Sequence, residues 1–282
     1  MKHHETNRRT IRPVRRIIHL RPEFALLSLI VLTALCYPVR AQPSDTALIS
    51  DSAPLTADKV VQNLVQMNIH RGQTLHAFQG TRIYRVEYQG FPGTRSAEMI
   101  VSVKYLSPGT KEFSVQSTTG SKLIIDRVFK KLLEAEKESL DAEIQRRSAL
   151  NDDNYWFTLV GYESTPTGST YVLNVEPRTN DKFLYRGRIW VDGEDFAVTR
   201  LEAEPAKNPS FWTKNSEIEQ VYRKVGDFWL PARNHSISTI RLGGRAELTI
   251  DYNDYEITGA STVTSLPALR STPAIETARA QR

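Results

Sequence analysis

The chain has 282 residues, of which 40% are hydrophobic, 37 basic and 32 acidic, with one cysteine. That apolar share supports a sizeable core and excludes global disorder. Eight of the basic and two of the acidic side chains fall in residues 1–41, which leaves 29 against 30 in the remainder. The basic excess therefore needs no polyanionic partner, and nucleic-acid binding is excluded.

Residues 1–41 have the layout of a secretory signal peptide. Arg8, Arg9, Arg12, Arg15, Arg16 and Arg21 precede an apolar run from Phe24 to Leu35, and Val39-Arg40-Ala41 supplies the small-residue end. The pattern predicts export and cleavage after Ala41. About twelve apolar residues are too few to span a bilayer, which takes roughly twenty. Cys36 lies inside this leader, after Leu35, which is the wrong size for a lipoprotein cleavage site. The exported part then has no thiol, disulfide or thiolate metal site.

Residues 42–54 are small and polar and read as a flexible lead-in. Thr56 offers a cap for a helix from Ala57 to about Arg71, with Val60, Val61, Leu64 and Val65 at helical spacing and Gly72 as its expected end. The period then changes to two. Arg82, Tyr84, Val86 and Tyr88 share one strand face, and Met99, Val101, Val103 and Tyr105 share one face of a second strand beyond the Gly90-Phe91-Pro92-Gly93 turn. Lys111 to Thr118 adds a third strand.

Residues 121–147 have no glycine or proline and carry Ile124, Val128, Leu132, Ala135 and Leu140 near helical spacing. They predict one long amphipathic helix whose charged face, including Glu134, Glu136, Glu138, Asp141 and Glu143, is a solvated surface. Seven further strands are expected between Tyr155 and Ile257, punctuated most clearly by Thr165-Pro166-Thr167-Gly168, Asp192-Gly193-Glu194-Asp195 and Gly243-Gly244. Short connections favour antiparallel neighbours. Residues 259–282 lose alternation and read as a disordered tail. The fold class is mainly β, in the α+β sense.

Motifs for chemistry are missing. His70, His76 and His235 remain after the leader, and none stands in a metal-binding pattern. The sequence has no nucleophile elbow, phosphate loop or dinucleotide fingerprint. Asp192, Glu194 and Asp195 are turn residues suited to local backbone hydrogen bonding, as are Asp152 and Asp153. No catalytic residue, metal or cofactor is expected, and the protein is read as a non-enzyme.

The most specific stretch is Arg186-Gly187-Arg188-Ile189-Trp190-Val191-Asp192 followed by Phe196-Ala197-Val198-Thr199-Arg200-Leu201-Glu202. This hairpin, with the order of leader, helix, meander, helical insertion and strands, resembles the LolA/LolB-like periplasmic lipoprotein-carrier superfamily, to which RseB-like regulators are also similar. The resemblance covers about residues 55–257, so residues 55–258 are taken as one domain. It implies a strongly curved antiparallel sheet, an unclosed barrel with helices on its concave side, and an apolar cavity for acyl chains. It also implies a periplasmic, outer-membrane lipoprotein-sorting role, with a membrane-associated donor or acceptor protein. The alternative it implies is a lipid-sensing module that binds a membrane-anchored partner.

The residues themselves suggest where such a cavity lies. Tyr84, Val86, Tyr88, Met99, Val101, Val103 and Tyr105 are the candidate wall, on the better apolar faces of the first two strands. These same residues also suit an ordinary core. Phe211, Trp212, Phe228 and Trp229, each beside a proline-containing turn, are the candidate rim or partner contacts.

Overall fold

The computed structural model describes residues 54–261 except 166, 167, 209–212 and 242. The expected leader, nearly all of the lead-in, the tail beyond Ser261, and Phe211 and Trp212 lie outside the described residues.

Helix α1, Ala57–Thr74, starts where the sequence places a cap: the Thr56 hydroxyl accepts from Lys59 N at 3.4 Å. Asp58 in its first turn and Arg71 in its last suit the helix dipole. Gly72 does not end it. A glycine costs about 1 kcal/mol inside a helix, and the neighbouring Arg71 offsets this. Its guanidinium donates to Asp195 O at 2.7 Å, Phe196 O at 2.9 Å and Asn68 Oδ1 at 2.7 Å. The chain passes straight into β1.

Strands β1 (Leu75–Gln89), β2 (Arg95–Leu106) and β3 (Thr110–Gly120) form the expected meander. The next segment departs from the single helix expected. It runs through a short turn α2 (Lys122–Ile124), a π-helical turn (Ile125–Phe129) and α3 (Lys130–Glu138), then breaks before α4 (Ala142–Ser148). Asp141 makes the break by capping α4, accepting from Glu143 N at 3.0 Å and Ile144 N at 3.2 Å. Short polar side chains that bond the backbone in this way favour helix starts over helix interiors.

Seven strands follow: β4 (Tyr155–Thr165), β5 (Gly168–Pro177), β6 (Tyr185–Asp192), β7 (Val198–Pro205), β8 (Thr213–Val225), β9 (Phe228–Ile240) and β10 (Arg245–Ala260). All pairs are antiparallel, in the order β3-β2-β1-β10-β9-β8-β7-β6-β5-β4. The first and last strands thus meet inside the sheet, and among the described residues its edges β3 and β4 have no outer neighbour. The barrel is open. Since α2–α4 connect those two edges, the helical segment has to cross the sheet.

Register puts one residue from each of the eight strands between the edges in a row across the covered face. Met99, Tyr84, Ile250, Asn234, Gln220, Leu201, Ile189 and Leu173 are successive cross-strand partners. Side chains directly opposite each other share a face. Two apolar clusters fill that face. One joins Val60, Val61 and Leu64 of α1 to Leu173, Ile189, Leu201 and Ile218. The other joins Ile124, Phe129 and Leu132 to Tyr84, Met99, Val101 and Ile250. Between them, β8 and β9 bury a polar seam, in which Asn234 donates to Gln220 Oε1 at 2.9 Å and Ser216 and Ser238 hydroxyls lie 2.8 Å apart.

The opposite face carries exposed ion pairs such as Arg188–Glu202 at 3.1 Å and Arg85–Glu98 at 2.9 Å. Exposed pairs of this kind contribute little stability. Gly187, within the Arg-Gly-Arg-Ile-Trp stretch, sits at φ +149° against the Glu202 carbonyl, where a Cβ has no room.

Candidate functional site

A cavity of about 140 Å³ lies at one end of the seam between the two helical covers. Asn68, Arg71 and Gly72 of α1 and Gln145 of α4 approach it from the helices. From the sheet come Leu75, Phe78, Tyr222, Phe228, Trp229, Leu230, Tyr252 and Tyr255, with Tyr105 and Pro108 from the β2–β3 end. Phe78 stacks on Tyr105 at 5.1 Å and meets Tyr255 edge-on at 5.6 Å, so the wall is built of interlocked rings.

The acidic turn 192–196 adjoins the cavity, because Arg71 of its lining donates to Asp195 O and Phe196 O. Asp192 accepts from Glu194 N at 3.0 Å and Asp195 N at 2.7 Å, the local role that its position suggests. Asp195 does more than a turn requires. Its carboxylate takes the Trp229 indole N–H at 2.7 Å and pairs with Lys224 at 2.6 Å. Burial works to raise its pKa, but these donors prevail and hold it lowered. The turn thereby ties α1, through Arg71, to β9.

A buried ionic group adjoins the cavity. Arg82 Nη1 donates to Glu136 Oε2 at 2.5 Å, and Lys111 Nζ to Glu136 Oε1 at 2.8 Å. Burial alone drives the Glu136 carboxyl up, yet Arg82 and Lys111 overcome it and hold the pKa at about 2. Arg82 also lies over the Tyr252 ring at 4.9 Å. Burial pushes the Lys111 pKa down, against the pull of Glu136.

Glu136 therefore corrects the expected solvated face of the helix, since its side chain is 0% exposed. Sequence reasoning left Glu136 and Lys111 out of any site. The available signal was Arg82, a charged residue on the strand face it shares with Tyr84 and Val86.

The structure distributes the candidate wall over three settings. Tyr84, Val86, Met99, Val101 and Val103 are packed in the cluster under α2 and α3. Tyr105 borders the cavity. Tyr88 stands apart at the turn end of β1, where its hydroxyl donates to Phe91 O at 3.0 Å. Of the candidate rim, Phe228 and Trp229 both line the cavity, and they lie within β9 rather than ahead of it.

A larger hollow of about 640 Å³ opens on the outer face, bordered by Arg186, Arg188, Glu202, Glu204 and Glu219. Its charges pair with one another, as in Arg188–Glu202 and Arg186–Glu176, and it offers no apolar enclosure. Among the described residues no group of three or more His, Cys, Asp or Glu side chains could hold a metal ion.

No protein-family model and no curated protein matches the sequence. Solved structures do resemble it. A DUF1329-family protein from Desulfovibrio piger matches 72% of this chain and 93% of its own, at 13% identity and a TM-score of 0.37. A LolA-superfamily protein from Nitrosomonas europaea matches 74% and 96%, at 11% identity and 0.32. A putative outer-membrane lipoprotein-sorting domain from Vibrio parahaemolyticus matches 74% and 93%, at 11% identity and 0.33. The last two bear the names of the group that the Arg186–Asp192 hairpin resembles. With superpositions this loose, the half-barrel assignment stands on the strand order and register of the chain itself.

Proposed function

We propose that the protein is an exported, non-enzymatic carrier of the outer-membrane lipoprotein-sorting type. It works in the periplasm after loss of its leader and holds an acyl chain of a lipoprotein or lipid between half-barrel and helices. The observation that carries this reading is the ring-walled cavity between α1, α4 and the central strands. A cavity of about 150 Å³ accommodates one benzene-sized body, so the observed 140 Å³ receives only the first part of a long chain. The rest requires the covers to part.

The seam favours such parting. α1 packs in one apolar cluster and α2–α3 in the other, so separating them disrupts neither cluster internally. Each methylene then buried contributes about 0.8 kcal/mol, which gives one chain useful and reversible affinity. Tyr105, Phe228 and Trp229 make the first contacts. Tyr84, Val86, Met99, Val101 and Val103 are reached only where α2 and α3 themselves lift from the sheet, and Tyr88, at the turn end of β1, is not among the first contacts.

Native mass spectrometry of protein purified gently from its host, with solvent extraction of bound material, tests the carrier reading. Near-stoichiometric acyl-bearing cargo supports it. A clean apo mass that takes up neither added phospholipid nor lipopeptide defeats it.

One observation favours a second reading, a regulatory module that binds a membrane-anchored protein. Among the described residues, edge strand β4 has no partner on its outer hydrogen-bonding side, and it exposes Trp156 and Val160, each just over half accessible. An open edge of this kind accepts an extended segment from a partner. Retention of a membrane protein on pull-down, with no acyl cargo, selects that reading.

A further inference from the structure

We infer that the cavity selects an amphiphile with a single anionic head group, and that Lys111, with Arg82, is the group that selects it. The inference rests on the proposal that this cavity takes an apolar chain, and it adds what stands at the head of that chain.

Three charged side chains line the cavity, Arg71, Arg82 and Lys111, and all are cations. Beside Arg82 and Lys111 stands the carboxylate of Glu136, and it is already shared. One oxygen takes Arg82 and the other takes Lys111. Two buried cations against one buried anion leave a unit positive charge in a place almost without water, since the Arg82 and Lys111 side chains are only 5% and 4% exposed. Burying an uncompensated charge is costly, and the cost is relieved by an opposite charge with hydrogen-bond geometry.

Donor capacity points the same way. An ammonium offers three N–H groups and a guanidinium five. Among the described residues, Lys111 uses Glu136, and Arg82 uses Glu136 and, at 3.4 Å, the Tyr84 hydroxyl. Further donors on both remain available to the cavity that these side chains border. Arg71, less buried than these two, is instead committed to backbone carbonyls of the acidic turn and to Asn68. The anion site is therefore beside Lys111 and Arg82, with the aromatic wall of Phe78, Tyr105 and Tyr255 holding the chain.

A carboxylate and a phosphate share this chemistry, and a set of equal-length ligands separates them. The test is calorimetric titration of the delipidated, full exported protein with decanoate, decyl phosphate, decanol and decylammonium, each below its micelle concentration. At least one anion should bind roughly tenfold or more tighter than decanol, with decylammonium weakest. The better of the two anions names the head group. Lys111→Met should bring the anion-to-alcohol ratio close to one while decanol binding holds.

Decanol binding as tightly as both anions overturns the charge selection and leaves the apolar cavity standing. No binding by any of the four defeats the cavity reading and this one with it. An unchanged ratio in folded Lys111→Met removes that residue from the role. Should the variant fail to fold, the four-ligand series on the unmodified protein still decides.

Discussion

Under α1 the sheet buries aliphatic side chains and tyrosine rings, whereas under α3 the same sheet also buries two cations and a carboxylate. The apolar cluster under α1 is specified by volume and shape, which tolerate small adjustments, and it holds no carboxylate to titrate in acid. The α3 half is specified by charge positions as well. Glu136 must meet Lys111 on β3 and Arg82 on β1 at once, which fixes both the rotation and the height of the helix over the sheet. Whether that specificity also stabilises the fold is a separate matter, because a buried ion pair is often worth no more than apolar packing of the same volume.

The sharpest way to break the comparison is Glu136→Ala, which strands Arg82 and Lys111 without a counter-charge. Loss of one partner from a buried ionic group costs about 3–5 kcal/mol, the largest effect expected here, read as a fall in the urea midpoint. Acid should reproduce much of it in the unmodified protein. The Glu136 pKa is depressed to about 2 in the fold from about 4.3 when unfolded. Its contribution is thus complete above the unfolded value and is lost as pH falls through the folded one. The loss amounts to about 3 kcal/mol, seen by comparing denaturation near neutrality with denaturation at about pH 2. In Glu136→Ala that part of the acid sensitivity should vanish.

Leu64→Ala makes the matching cut in the α1 half. Leu64 is 0% exposed among Leu173, Ile189 and Leu201, and truncating such a residue costs about 3 kcal/mol through lost transfer and a residual cavity. Unlike the Glu136 effect, this one should be the same at acid and neutral pH. If both variants lose stability with the same pH profile, the halves are not held by different means.

What the sequence disclosed divides along the same line. Period-two alternation located β1 and β2 and their buried faces, because each strand repeats its pattern over several residues. The Asp192 turn was legible because its hydrogen bonds are local. Glu136 was not, since its partners lie 25 and 54 residues away and nothing in its own helix distinguishes it from Glu134 or Glu138. The cavity was half legible. Phe228 and Trp229 stood out as a cluster beside a proline, but their meeting with Arg71 and Gln145 depends on β9 lying under helices far away in sequence.

At the junction of the halves, Trp229→Phe keeps the ring in the cavity wall and deletes the N–H that Asp195 accepts. A hydrogen bond to a carboxylate is worth about 1.5 kcal/mol at this part-exposed position, and Lys224 still pairs with Asp195. A modest loss of stability should therefore accompany faster hydrogen exchange in residues 192–197, with exchange under α3 unchanged. Uniform acceleration across both halves contradicts a local tie.

The smallest effect expected comes from the helix break. Asp141 accepts two backbone N–H groups, at 3.0 and 3.2 Å, whereas Thr56 at the start of α1 accepts one at 3.4 Å. Replacing a helix cap by alanine costs about 1 kcal/mol, so Asp141→Ala should cost about that and Thr56→Ala less. Their locations make the pair informative beyond size. α4 brings Gln145 to the cavity, while the first turn of α1 is remote from it. Loosening α4 should therefore change uptake of a decyl ligand, and loosening the start of α1 should not. Equal effects on uptake from the two caps mean that the covers move as one body, in which case the seam between the clusters is not where the molecule opens.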